Sequence, residues 1–220
     1  MNINIIAGKC SEDNNLQIIN ILRNRDKTKN NYIIAPDRSL FSIERRLFDE
    51  LDESCFFDLS VMSFSKLAKK VISNTNKNIL TKQSGVALVK KLLIENKNNL
   101  HTFGKATNFM GFASSLFETI CLFKSCNISP QEIFVNDSSD YSNLKQKDIK
   151  LIYTKYEEFL QNDFTDSFNQ LRLFADMIDK NTFENSNFYF VEFDDFTALM
   201  YLIIAKIARY YDTYICTTYG

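Results

Sequence analysis

The sequence predicts an α/β fold: a parallel β-sheet that carries an all-helical insertion. Three observations lead there. Short runs that are apolar on both faces occur at 3–6, 32–35 and 59–62, and again at 188–191 and 214–216. Strands covered by helices on both sides, as in a parallel sheet, have this pattern. Helical stripes separate the runs, giving strand–helix–strand order with crossover connections. Between the two clusters, from about 80 to 181, only helical periodicity is found. The expected division is an α/β core of 1–79 with 182–220, and a helical insertion of 80–181.

Each element follows from its residues. The first strand runs into Gly8-Lys9, and Leu16, Ile19 and Leu22 form the next stripe. The second strand ends at Pro36-Asp37-Arg38, before a helix with Ile43, Leu47, Phe48 and Leu51 on one side. The third precedes Ser63-Phe64-Ser65-Lys66, which opens a helix with Phe64, Leu67, Ala68 and Val71 on its apolar face. In the insertion, Val86, Val89 and Leu93 share a stripe, as do Phe109, Phe112, Leu116 and Ile120, then Ile149, Ile152, Tyr153 and Tyr156, then Phe168, Leu171 and Ala175. An aromatic at every third or fourth helical position reads as core. Asn127-Ile128-Ser129-Pro130 and the polar loop 136–140 punctuate the block.

Composition excludes several functions. Of 220 residues 45% are hydrophobic, enough for a sizeable core, and the net charge of -1 supplies no general attraction to nucleic acid. Any contact with nucleic acid would have to come from a local basic patch. The five cysteines are odd in number and lack a C-x-x-C pair, so neither a disulfide framework nor a zinc site is expected, and no metal. The N-terminus lacks a charged and apolar leader, and no run approaches the roughly 20 apolar residues of a membrane span. A soluble, cytoplasmic chain with no membrane contact is expected.

Chemistry in such a fold gathers at the first βα turn, where backbone N–H groups and a helix N-terminus meet phosphate. A working phosphate loop ends in Gly-Lys-Ser/Thr. Here Gly8 and Lys9 are present, but Asp13, Asn14 and Asn15 stand where the second glycine, the lysine and the magnesium-binding hydroxyl belong. A carboxylate at about 4 Å from a phosphate is repelled by roughly 1 kcal/mol in water and by more in a cleft. The loop reads as degenerate, with no cofactor bound and no catalysis by this chain. Basic and hydroxyl residues lie at two further strand ends: Arg38, and Ser63 with Lys66 and Lys69. Ser63 also reads as a helix cap, and the lysines also read as a solvated face.

The order of these segments resembles the N-terminal part of the AddB (RexB) subunit of bacterial AddAB helicase–nucleases. That family has a glycine-rich loop after its first strand, a strand ending in Pro-acid-Gln before an F-x-x-E helix, an S-F-S-R-L-A segment, and a late D-G-F-x-x-F-T segment. The counterparts are Gly8-Lys9; Pro36-Asp37-Arg38 with Phe41 and Glu44; Ser63-Phe64-Ser65-Lys66-Leu67-Ala68; and Val191-Glu192-Phe193-Asp194-Asp195-Phe196-Thr197. Departures are Arg38 for Gln, Lys66 for Arg, and Glu192 for Gly.

The resemblance implies a P-loop, helicase-like fold of the superfamily 1 1A type. It also implies a non-catalytic role in a heterodimer with an AddA-type helicase–nuclease subunit that processes double-strand breaks. Such a domain contacts single- and double-stranded DNA and scans the passing single strand for a recombination hotspot (Chi). The family's reading residues fall on Arg38, Leu40, Phe64, Lys66 and Lys69, with Phe193 or Phe196; Ser63 lies among them. Family members are several times longer, so this chain reads as a fragment. Two rival readings are a P-loop nucleotide hydrolase and a protein–protein scaffold.

Overall fold

In the computed structural model, residues 3–9, 14–51, 53, 55–72 and 77–219 are described. In chain order they form β1 (Ile3–Lys9), α1 (Asn14–Arg23), β2 (Asn30–Ile34), α2 (Leu40–Leu51), β3 (Leu59–Met62), α3 (Phe64–Val71), β4 (Asn78–Ile79), α4 (Lys82–Glu95), α5 (Met110–Ser125), α6 (Tyr141–Leu160), β5 (Phe164–Thr165), α7 (Ser167–Met177), β6 (Ser186–Phe190), α8 (Ala198–Tyr210) and β7 (Asp212–Tyr219). The chain divides into two units, 1–73 with 171–220, and 74–170.

The first unit is built on a five-stranded sheet ordered β1-β7-β6-β2-β3, with every pairing parallel. Its strands are the five apolar runs of the sequence. Side chains alternate along each strand; the inner strands β2 and β6 are buried on both faces, whereas Ile3 and Ile5 of the edge strand β1 are exposed. On one face Ile33, Ala35, Tyr189 and Val191 pack with Ile18, Ile19 and Leu22 of α1 and with Leu40, Ile43, Leu47 and Leu51 of α2. On the other, Tyr32 stacks on Phe188 (5.2 Å), and Phe183 joins Phe188 (5.0 Å), Phe174 (6.2 Å) and Tyr211 (5.8 Å). Phe174 lies on α7, whose stripe falls within the expected insertion; from Leu171 onward α7 instead belongs to the first unit.

At the opposite end of the strands from their βα turns, Arg25 is sealed in, its side chain fully buried between Glu53 (3.1 Å) and Asp58 (2.6 Å). Burial pushes the Asp58 carboxyl up, but Arg25 outweighs it through hydrogen bonds and charge, and the carboxyl ends below its ordinary value of 3.8.

The second unit packs α4, α5 and α6 around Val89, Leu93, Ala113, Ile120, Ile152, Tyr153 and Tyr156. Gly85 admits the ring of Phe117: a Cβ there would meet it at 2.3 Å. Asn127, with φ 57°, ends α5. Its N–H reaches the Lys124 carbonyl (3.0 Å) and that of Ile128 the Phe123 carbonyl (2.8 Å), a closure that needs a left-handed residue. Lys124, 2% exposed, is held by Glu157 and by Asp166 (2.8 Å), and the Tyr156 hydroxyl donates to Asp166 (3.2 Å).

The insertion is not all-helical. β4 and β5 form a two-residue parallel ladder, fastened by Asn78 N–H to Asp163 O and Leu80 N–H to Thr165 O, both 2.8 Å. Two residues are too few to show alternation, so the pairing leaves no periodic trace in sequence. No helix among the described residues is long and apolar enough to cross a membrane.

Candidate nucleic-acid interface

Parallel pairing sets the βα turns of β6, β2 and β3 side by side. The ladder continues one step past the strands, with Val191 N–H on Ile34 O (3.0 Å) and Ala35 N–H on Met62 O (3.1 Å). Three loops therefore leave the sheet in line.

From β2, Pro36 leads into a short 3-10 turn, Asp37–Ser39, that lifts Arg38 into solvent. Its guanidinium donates to Asp194 of the β6 loop at 2.5 Å, with the two side chains 67% and 83% exposed. A pair this exposed contributes about 0–1 kcal/mol, so Arg38 can exchange its partner for a phosphate at little cost.

From β3, Ser63 caps α3, its hydroxyl accepting from the Lys66 N–H (3.4 Å). Ser63 is 4% exposed, so its side chain is structural and not a contact. Phe64 is 3% exposed, its ring stacked on Phe190 (5.6 Å) and tilted against Phe193 (5.5 Å). This corrects the expectation that Phe64 is a stacking platform, since the helix stripe it shares with Leu67 draws it inside. Leu40 is corrected likewise: 8% exposed, it belongs to the core beneath α2.

Lys66 and Lys69 are exposed, and neither has an ion pair among the described residues. Lys70 differs, because its ammonium donates to the Tyr32 hydroxyl (2.9 Å).

From β6, Glu192 takes φ 56°, a left-handed conformation at the position where the related motif has glycine. That turn projects Phe193, which meets Phe196 (4.8 Å); Phe196 in turn meets Tyr201 (5.5 Å), which is 57% exposed. The rings Phe190, Phe64, Phe193, Phe196 and Tyr201 thus step from core to surface beside the lysines of α3. Thr197 closes the motif by capping α8, accepting from the Met200 N–H (3.3 Å).

Sequence reasoning missed Asp194, the acid that holds Arg38, and Tyr201. Tyr201 was legible only as the one ring on the first turn of the apolar α8. Neither acquires a role until β6 is known to adjoin β2.

β1, which leads into the segment read as a degenerate phosphate loop, ends elsewhere on the same edge. β1 is the outer strand, separated from β6 by β7, and Gly8 is buried at its end. Asp13 and residues 10–12 lie outside the described residues. Asn14 and Asn15 form the first turn of α1, and of their side chains and that of Lys9 nothing is described. Among the described residues no group of three His, Cys, Asp or Glu is placed to hold a metal.

The fold and the edge define an α/β domain with a parallel sheet whose loops gather exposed cations (Arg38, Lys66, Lys69), exposed acids (Asp37, Asp194, Asp195) and aromatic rings. The chain belongs to the family described as ADDB, N-terminal, which matches residues 7–218. Its relatives include an ATP-dependent helicase/deoxyribonuclease subunit of Clostridium botulinum strain Hall, 29% identical over 218 residues. The protein of the same name from Listeria welshimeri is 31% identical over 217 residues. Each match covers 94% of this chain but 19% of the relative, so the chain spans about a fifth of their length.

Proposed function

We propose that this chain is an inactivated, helicase-like domain of P-loop ancestry that serves a helicase–nuclease in cytoplasmic double-strand-break repair. In this reading an AddA-type partner supplies the motor. The present chain holds the passing single strand across the C-terminal edge of its sheet and scans it for a recombination hotspot. The relatives' names, which join helicase to deoxyribonuclease, support the setting.

The observation that carries the reading is the edge itself. Arg38 sits in an exchangeable pair, Lys66 and Lys69 have no ion pair among the described residues, and the half-exposed rings of Phe193 and Phe196 lie on a neighbouring turn. Cations take phosphates and rings take bases. The test uses the complete two-subunit complex with Lys66→Ala plus Lys69→Ala, and separately Phe196→Ala. Each lysine on a phosphate adds about 0.7 to the salt slope for a single strand, and a stacked ring contributes on the order of 1–3 kcal/mol. If single-strand affinity and hotspot response are unchanged in both while the fold is kept, the edge is not the DNA site. The scaffold reading then takes over, supported by the exposed rings of Phe41 (77%) and Phe57 (94%).

A further inference from the structure

The helical unit carries a second cationic surface, remote in sequence from the motifs above. An open groove of about 510 Å³ lies between the start of α6 and the segment joining α4 to α5. Lys97, His101, Lys105 and Tyr141 line it, together with Thr102 and Leu144, and no described lining residue is acidic. Lys97, His101 and Lys105 are exposed, and Tyr141 presents its ring with 72% of its surface free. Lys145, also exposed, follows Tyr141 by one helical turn and so shares its face. None of these three lysines has an ion pair among the described residues. The exposed acids nearest in sequence, Glu95, Asp137 and Asp140, do not line the groove, and Glu95 pairs with Lys91 (3.7 Å).

The groove is built, not incidental. Asp148, 1% exposed, sits beneath it and accepts from the backbone N–H groups of His101 (2.8 Å), Thr102 (2.7 Å) and Phe103 (2.9 Å) and from the Thr102 hydroxyl (2.8 Å). Phe103 is buried against Phe112 (4.8 Å). Four donors on one carboxylate fix the middle of the loop, and Lys97 and Lys105 flank that fixed point. A loop held this way presents its cations without further ordering on binding.

We propose that this groove binds single-stranded nucleic acid, with Lys97, Lys105 and Lys145 on phosphates and Tyr141 under a base. The proposal rests on the reading of the chain as a DNA-contacting domain, but it uses a separate set of residues.

The test is fluorescence anisotropy of a labelled oligothymidylate with the complete two-subunit complex across a salt series. Lys97→Gln with Lys105→Gln should lower the salt slope by about 1.4, from two phosphate contacts. Tyr141→Ala should weaken binding roughly ten-fold. Lys66→Ala with Lys69→Ala is measured in parallel. If only that pair changes binding, the groove fails and the sheet edge stands; if only the groove variants do, the edge fails and the groove stands. No measurable binding at low salt overturns the proposal. So does equal competition by polyglutamate with no effect of Tyr141→Ala, which marks a general anion surface.

Discussion

At the scale of single residues, two positions hold strain or charge that the rest of the fold must offset. Glu192 stands in a left-handed turn that disfavours any side chain with a Cβ, by about 1–2 kcal/mol, whereas glycine enters it freely. Glu192→Gly should therefore be more stable than Glu192→Ala by up to about 1 kcal/mol, since both remove the side chain and only glycine relieves the backbone. A urea midpoint for the glycine variant below that of the alanine variant would contradict this. Arg25 is the second case. Arg25→Met leaves Asp58 enclosed without its partner and should lower stability by about 3 kcal/mol at neutral pH. The sign follows from the carboxyls: Asp58 and Glu53 both sit below their ordinary values of 3.8 and 4.5. Their stabilisation is present above those values and is lost as pH falls through the folded ones. The gap between wild type and Arg25→Met should accordingly narrow below about pH 4, and urea midpoints at neutral pH and near pH 3 check it.

At the scale of elements, the hydroxyls in two sequence motifs turn out to be helix caps. Ser63 starts α3 and Thr197 starts α8, so each motif pairs a cap with an aromatic that the capped helix then positions. Ser63→Ala should lower stability by about 1 kcal/mol, and Ser63→Asp should restore most of it, because aspartate caps equally well and suits a helix N-terminus. Single-strand affinity per folded molecule should be the same in both variants. A loss of affinity with unchanged stability would return Ser63 to the interface. The periodic elements were legible for a plain reason: α2 buries Leu40, Ile43, Leu47 and Leu51 at helical spacing, and β6 is buried on both faces. The β4–β5 ladder was not, since two residues carry no period.

At the scale of the whole molecule, the end of β1 and the cation-and-ring set fall on different parts of one sheet edge. β1 is the outer strand, and the cation-and-ring set lies over β6, β2 and β3. With Asp13, Asn14 and Asn15 where a phosphate loop needs glycine, lysine and a hydroxyl, calorimetry with ATP and magnesium should show no micromolar binding. Heat of binding that disappears when this loop is mutated would instead support the nucleotide-hydrolase reading. On the proposed reading the two positions are separable by mutation.

The sequence by itself determined the five parallel strands and the helices that separate them. Each is a local pattern of burial period or residue chemistry, and such patterns survive without coordinates. Tertiary structure decided which side chains face out. Phe64 and Leu40 look like contact residues in a motif but are drawn into the core, because the apolar stripe of a helix is buried whatever else its residues resemble. Arg38 meets Asp194 across 156 positions of sequence only because β6 inserts next to β2. The groove of Lys97, Lys105 and Tyr141 likewise exists only once Asp148 gathers the N–H groups of a loop some 45 residues away. Strand order and the satisfaction of buried polar groups are set by the whole chain at once, so no local pattern records them.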